Sequence, residues 1–334
     1  MRFGVELHQY LDARTIVEES RAVEELGYDA LWLGDSQLIW RELYVLLGAA
    51  ATATSRVTLG VGVTNPVTRH AAVTASAMMT LQELSRGRGI LGVGLGHTSV
   101  ATMGLPRATR KELAAYVDTV RRLCRGEEVS TEHGPIRLAY TKPEAAPRII
   151  IAASGPKMMR LAGQIGDGVV MAGQMGHPEV RREALERVQA GVADSSLDAR
   201  NDKSFLVCAG VAACVSSERG QALDAVRSHV AQGLMSPLAR LGPAASKARE
   251  TLASSYNTYD HMHPGARHAH VVPDEVIQEF AIAGTPEDCV RQARAMFDDG
   301  VDEITIRPYA LPGHSRLETI EAFAREVVAK LRQT

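Results

Sequence analysis

The chain predicts an α/β fold of the (β/α)8 kind, a TIM barrel, on three observations. Its 334 residues exceed the usual size of one compact domain unless that domain is an α/β barrel. Short β-branched runs alternate with amphipathic helical stretches at intervals of roughly 25 to 40 residues, the layout of repeated βα units. Several helical stretches stop at glycine, as in Leu26-Gly27 and Asp299-Gly300, consistent with a left-handed cap before the next strand.

In order, the apolar run Arg2 to Leu7 is a strand, and Ala13 to Leu26 a helix. Ala30 to Asp35 leads to the helix Glu42 to Thr54, Val57 to Asn65 to His70–Leu84, and Gly89 to Gly96 to Thr109–Cys124. Arg148 to Ser154 precedes a helix from Pro156 to Ile165, Gly168 to Ala172 one from Pro178 to Val192, and Phe205 to Val215 one from Glu218 to Leu234. A helix from Pro286 to Asp299, the eighth strand Glu303 to Arg307 and a helix from Leu317 to Leu331 finish the pattern. Residues 1–334 thus read as one barrel domain with two insertions. Residues 127–140 contain the turn His133-Gly134-Pro135 and predict a hairpin before strand five. Residues 236–272, rich in Gly, Pro, Tyr and His, interrupt the barrel between strands seven and eight and predict a substrate lid.

A net charge of −2 argues against nucleic acid or an anionic membrane as partner and favours a small molecule. Cys124, Cys208, Cys214 and Cys289 are scattered without CxxC spacing and read as buried thiols in a reducing compartment. Arg2, Glu6 and His8 break any apolar run at the start, leaving neither a signal-peptide core nor a membrane span. These features together predict a cytoplasmic protein.

The most informative stretch is Leu59-Gly-Val-Gly-Val-Thr-Asn-Pro66, followed by Val67-Thr-Arg-His70. Two glycines within a β-branched strand that stops at Asn-Pro mark close approach of backbone to a ligand. Barrel active sites lie at the C-terminal strand ends, which here carry Glu6 and His8, Asp35 and Ser36, Thr64 and Asn65, Gly96 and His97, Ser154 and Gly155, Ala172 to Gln174, and Arg307. Strand four ends Gly92-Val93-Gly94-Leu95-Gly96-His97. Its glycines alternate within the strand and therefore do not make a Rossmann fingerprint. They clear one barrel face for a flat ring, or they serve tight barrel packing. The turn Ala152-Ala-Ser-Gly-Pro-Lys157 places free amides, a helix N-terminus and Lys157 where a phosphate could bind, with a Ser154 cap as the plainer reading. His97 is a proton donor or acceptor near neutral pH. Glu6, buried in a barrel mouth, is expected to have a raised pKa and to act as an acid, the plainer reading being a salt bridge to a neighbouring strand. His261, His263, His268 and His270 lack carboxylate or cysteine partners at fixed offsets, so no metal site is assigned, and Tyr256 and Tyr259 offer contact surface instead.

Gly27-Tyr28-Asp29 to Asp35, Gly62 to Ala75, Arg86 to Gly96, Ala153 to Asp167 and Gly284-Thr-Pro-Glu287 to Gly300 together give a chain that resembles the bacterial luciferase-like superfamily. The resemblance is to its branch using the deazaflavin coenzyme F420, which includes methylenetetrahydromethanopterin reductases and F420-dependent glucose-6-phosphate dehydrogenases. Asn65 to His70 and Ser154 to Met158 look nearest to the reductases. The resemblance implies a non-prolyl cis peptide at Gly62-Val63 against the coenzyme ring, and contacts to the ring or its polar side chain from Asp35 and Asn65. It further implies Gly94 and Gly96 near the ring, and a coenzyme phosphate at the Ala153, Ser154, Gly155, Pro156 and Lys157 turn. The dehydrogenases carry glutamate and histidine where this chain has His97 and Ser36, a departure that weakens sugar-phosphate oxidation and puts His97 forward as proton partner. Glu6 matches a first-strand carboxylate of the pterin-dependent reductases. The expected activity is F420-dependent hydride transfer to or from a small organic substrate, in a homodimer. The rivals are an FMN-dependent monooxygenase and a non-catalytic binding homologue.

Overall fold

The computed structural model describes residues 1–195, 197, 205–235, 241–254 and 267–333. In chain order the first half runs β1 (Arg2–Leu7), α1 (Ala13–Glu25), β2 (Ala30–Leu33), α2 (Leu43–Ala53), β3 (Thr58–Thr64), α3 (Ala71–Ser85), β4 (Gly89–Val93), α4 (Thr98–Thr102) and α5 (Arg110–Cys124). A hairpin of β5 (Val129–Thr131) and β6 (Gly134–Ile136) follows, then β7 (Arg148–Ala153), α6 (Pro156–Ile165), β8 (Gly168–Met171), α7 (Pro178–Ala193), β9 (Leu206–Val215) and α8 (Arg219–Leu234). The rest comprises α9 (Pro243–Ala253), α10 (Asp274–Phe280), β10 (Ala281–Gly284), α11 (Pro286–Asp298), β11 (Glu303–Pro308) and α12 (Arg316–Phe323), which continues through a wider turn at Ala324–Val328 into a last helical turn.

The parallel ring β9-β11-β1-β2-β3-β4-β7-β8 closes because β8 also pairs with β9, giving the predicted eight-stranded barrel. All eight barrel strands lie where the sequence places them. The strand missed is β10, which pairs with the upper end of the ten-residue β9 at Ala212–Val215, beyond the reach of β8, and the short helices α4 and α10 were not expected either. The insertion at 127–140 is the expected antiparallel hairpin. The second insertion is not a plain loop, because α9 and a 3-10 turn at Arg267–Val271 lie within it. Tyr256, Tyr259, His261 and His263 fall outside the described residues.

Local chemistry explains the helix boundaries. Asp12 accepts the Arg14 and Thr15 amides at the start of α1, and Thr109–Glu112, Thr285–Asp288 and Ser315–Glu318 form capping boxes on α5, α11 and α12. Gly27 and Gly300 adopt the positive φ predicted after α1 and α11. The main core lies between barrel and helices, where Phe3, Val5, Leu31, Leu33, Leu59, Val61, Ile149 and Ile151 meet the apolar helix faces. Inside the barrel's lower half, the buried carboxylate of Glu303 accepts from Trp32 Nε1 at 2.8 Å, Arg2 Nε at 3.1 Å and Thr305 Oγ1 at 3.1 Å. This layer closes the barrel interior between the N-terminal strand ends and the C-terminal mouth. Among the described residues no helix is long and apolar enough to cross a membrane.

Candidate active site

Period-two alternation turns successive side chains of each strand in and out of the barrel, so the mouth is lined by alternate residues. Those residues are small: Gly62, Gly94, Ala152, Ala172 and Gly210 line its two hollows. One hollow is bounded by Asp35, Ser36, Trp40, Gly62–Thr64, Gly94–Ser99, Arg107, Ala152, Ser154 and Met158. The other shares Ser154 and runs past Gly155 and Gln174 to Arg187, Gly210, His229 and Arg307.

The peptide bond Gly62-Val63 is cis, and the β3–β4 register shifts between Val61 and Thr64. Val63 consequently lies over β4. A Cβ on Gly92 would fall 2.7 Å from Val63 Cγ1 and 2.2 Å from the Val61 carbonyl oxygen, and one on Gly94 would fall 3.2 Å from Val63 Cγ2. The alternating glycines therefore pack tightly against Val63, which is the packing reading of the sequence, and Gly94 with Gly62, Val63 and Ala152 forms an apolar floor of the first hollow.

Asp35 and Asn65 stand behind this floor with their polar atoms engaged by the protein. Asp35 Oδ1 accepts from Gln37 at 2.6 Å and Arg69 Nη2 at 2.9 Å, while Oδ2 accepts from Thr64 at 2.6 Å and Arg69 Nε at 2.7 Å. The Asp35 carboxylate raises the Arg69 pKa further, fixing the guanidinium as a cation. Asn65 Oδ1 accepts the Val67 and Thr68 amides at 3.0 Å, and its Nδ2 donates to Thr68 and Ser99, which ties the Asn-Pro turn to α4. Gly96 is backed by Val100 of α4, whose Cγ1 would be 2.6 Å from a Cβ there.

His97 is exposed at the rim, its Nδ1 3.5 Å from Thr98 Oγ1. Partial desolvation and the neighbouring Arg107 lower its pKa, so the ring is neutral at pH 7. Ser154 does not cap α6. Gly155 occupies the N-cap at φ 84° with no side-chain bond to the helix, so the first-turn amides face the mouth without a side-chain acceptor. Lys157 is exposed on that turn, whereas Ala153 points outward into the core behind the barrel.

Glu6 departs from expectation. Burial does push its carboxyl upward, but Arg307, with Nε 2.6 Å from Oε2, and His8, with Nε2 3.4 Å from Oε1, outweigh it and hold the pKa at about 2. Glu6 is therefore a fixed anion and not a protonated acid, and the plainer sequence reading, a salt bridge to a neighbouring strand, is the one the structure bears out. His8 stacks on Trp40 at 4.6 Å, and Trp40 lies against Gly34, where a Cβ would come within 2.2 Å of the ring. Trp40, Arg69, His229 and Tyr309 were not singled out from sequence. Their neighbours in space are distant in the chain, and only Arg69, inside the Asn65–His70 run, sat beside a readable signal. Among the described residues no group of three His, Cys, Asp or Glu side chains could hold a metal.

Fold and mouth together define an α/β-barrel protein whose C-terminal mouth is lined by small residues and fixed charges. The chain belongs to the luciferase-like monooxygenase family, which it matches over residues 1–303. It is 30% identical over 340 residues to the 5,10-methylenetetrahydromethanopterin reductase of Methanolobus tindarius, with 98% of this chain and 100% of the relative covered. To the F420-dependent glucose-6-phosphate dehydrogenase of Intrasporangium calvum it is 27% identical, covering 96% of this chain and 95% of the relative. The solved coenzyme F420-dependent tetrahydromethanopterin reductase of Methanopyrus kandleri shares the fold at a TM-score of 0.83 and 23% identity over 99% of each chain.

Proposed function

We propose that the protein is an F420-dependent oxidoreductase that moves a hydride between its coenzyme and an electrophilic carbon of a small organic substrate, such as an imine, iminium, activated double bond or carbonyl. The observation that supports this most directly is the floor of Gly62-Val63, Gly94 and Ala152, flat, apolar and kept free of larger side chains. A planar deazaflavin fits that floor, and the open amides of α6 suit its anionic side chain. The coenzyme would supply the hydride chemistry; the protein supplies position, exclusion of water and a proton partner. Neutral His97 is suited to accept a proton at the rim. Glu6, ionised beside Arg307, is suited to favour positive charge at the reacting carbon.

The exposed apolar residues Val45 on α2 and Val73 and Leu84 on α3 support a homodimer through these two helices. Titration of purified protein with F420 and with FMN tests the coenzyme. Saturable F420 binding with hydride transfer is expected; tight FMN binding without F420 affinity, or oxygen consumption with reduced flavin, identifies the monooxygenase instead.

A further inference from the structure

The hollow whose one wall is the α6 turn carries, at its Arg307 end, hydrogen-bond donors that the hydride-transfer reading does not use. Arg307 donates through Nε to Glu6, while among the described residues its Nη1 and Nη2 have no protein acceptor. The side chain is 18% exposed and lines the hollow, so these N–H groups are open to a ligand entering it. Glycine at position 210 lets the guanidinium lie against β9, since a Cβ there would come 2.9 Å from Nη2. His229 of α8 faces the same hollow, with its Nδ1 2.8 Å from the Tyr309 hydroxyl. Burial keeps the Tyr309 phenol protonated, and Nδ1 is the acceptor within its reach, so we assign the proton of the ring to Nε2. Burial and the nearby Arg307 also hold His229 neutral, at about 3.

We propose that the free edge of Arg307, seconded by the Nε2–H of His229, anchors a carboxylate of the substrate, so that the enzyme acts on small carboxylic acids whose electrophilic carbon sits beside Glu6. A guanidinium edge matches a carboxylate with two parallel hydrogen bonds. A phosphate fits less well, because one cation already shared with Glu6, next to a neutral imidazole, offers too little charge for a dianion. Arg187, the other cation lining the hollow, is paired with Glu183. The substrate class rests on the proposed hydride transfer, whereas the anchor itself is testable without it.

The test is saturation-transfer NMR with benzoate, benzamide and inorganic phosphate as probes on the full chain, with and without saturating F420. Benzoate is expected to bind at least about tenfold more tightly than benzamide, with phosphate weaker still and F420 not competing. Arg307→Lys keeps a charge opposite Glu6 but loses the planar fork, and is expected to weaken benzoate at least about tenfold while leaving benzamide binding and the melting temperature unchanged. The pair Glu6→Gln with Arg307→Met avoids an unpaired buried charge and is expected to abolish the preference for benzoate. No benzoate binding, equal affinity for acid and amide, an unaffected Arg307→Lys variant, tighter phosphate binding, or displacement of benzoate by F420 would each overturn the anchor. Failure of F420 to bind, read separately by its fluorescence, would sink the coenzyme reading and leave the carboxylate result standing by itself.

Discussion

Glu6 and Arg307, 301 residues apart in the chain, meet at 2.6 Å across the β1–β11 junction of the barrel mouth. The pair sets the charge of the site and binds the first barrel strand to the last. Because the Glu6 pKa falls from an ordinary 4.5 to about 2, its contribution to stability is present in full above pH 4.5 and lost as pH drops toward 2. The expected contribution is on the order of 3 kcal/mol. Urea midpoints measured from pH 7 to pH 3 should fall more steeply for wild type than for Glu6→Gln. At pH 7 that variant should lose roughly 3 to 5 kcal/mol through the uncompensated Arg307. Parallel pH profiles for the two proteins would refute the assignment.

His97 has a pKa below its ordinary 6.5, held there by partial desolvation and Arg107. In the reaction direction that takes a proton from the substrate, the rate should therefore be flat above pH 6.5 and decline only under more acidic conditions. His97→Asn should lower kcat by about 10²- to 10⁴-fold and remove that acid limb. A retained limb in the variant would assign the proton to another group.

The glycines of β4 separate folding from binding. Gly92→Ala would place Cβ against the Val61 carbonyl, a backbone atom that cannot step aside, and the expected result is insoluble or strongly destabilised protein. Gly94→Ala meets Val63 and Ala152 at 3.2 and 3.3 Å, contacts that small side-chain shifts relieve. It should fold with a Tm within a few degrees of wild type yet bind F420 at least about tenfold more weakly, because Val63 is displaced toward the ring. Unchanged F420 affinity in a folded Gly94→Ala protein would show that the floor is not the ring site.

Val45 and Val73 are 71% and 57% exposed on adjacent helices, a costly display for a monomer. Sedimentation should find a dimer, and Val45→Asp with Val73→Asp should give a folded monomer. A monomeric wild-type protein would remove the assignment of this face.

Much of the barrel was legible because parallel strands covered on both faces read as unbroken runs, as in Arg148–Ala153 and Leu206–Val215, and glycine or proline marks their ends. Strand β10 escaped because four residues, Ala281–Gly284, sit directly behind the short helix Asp274–Phe280 and have no period of their own. Strand ends named Glu6, His97 and Arg307, but sequence order could not show that Glu6 meets Arg307. The pKa of Glu6 was misread for that reason: burial is visible in a run of apolar neighbours, whereas a cation from the far end of the chain is not. Trp40 against His8, 32 residues away, and Tyr309 against His229, 80 residues away, were hidden by the same separation.

The barrel is also riveted at both ends of one junction, by Arg2 with Glu303 below and Glu6 with Arg307 above. Since β11 is the last barrel strand to leave the ribosome, the wall between β9 and β1 is missing until synthesis is nearly over. The ring of strands is thus closed in one late event, and a nascent or truncated chain lacking β11 has neither the Glu6–Arg307 pair nor the Arg307 wall of the second hollow.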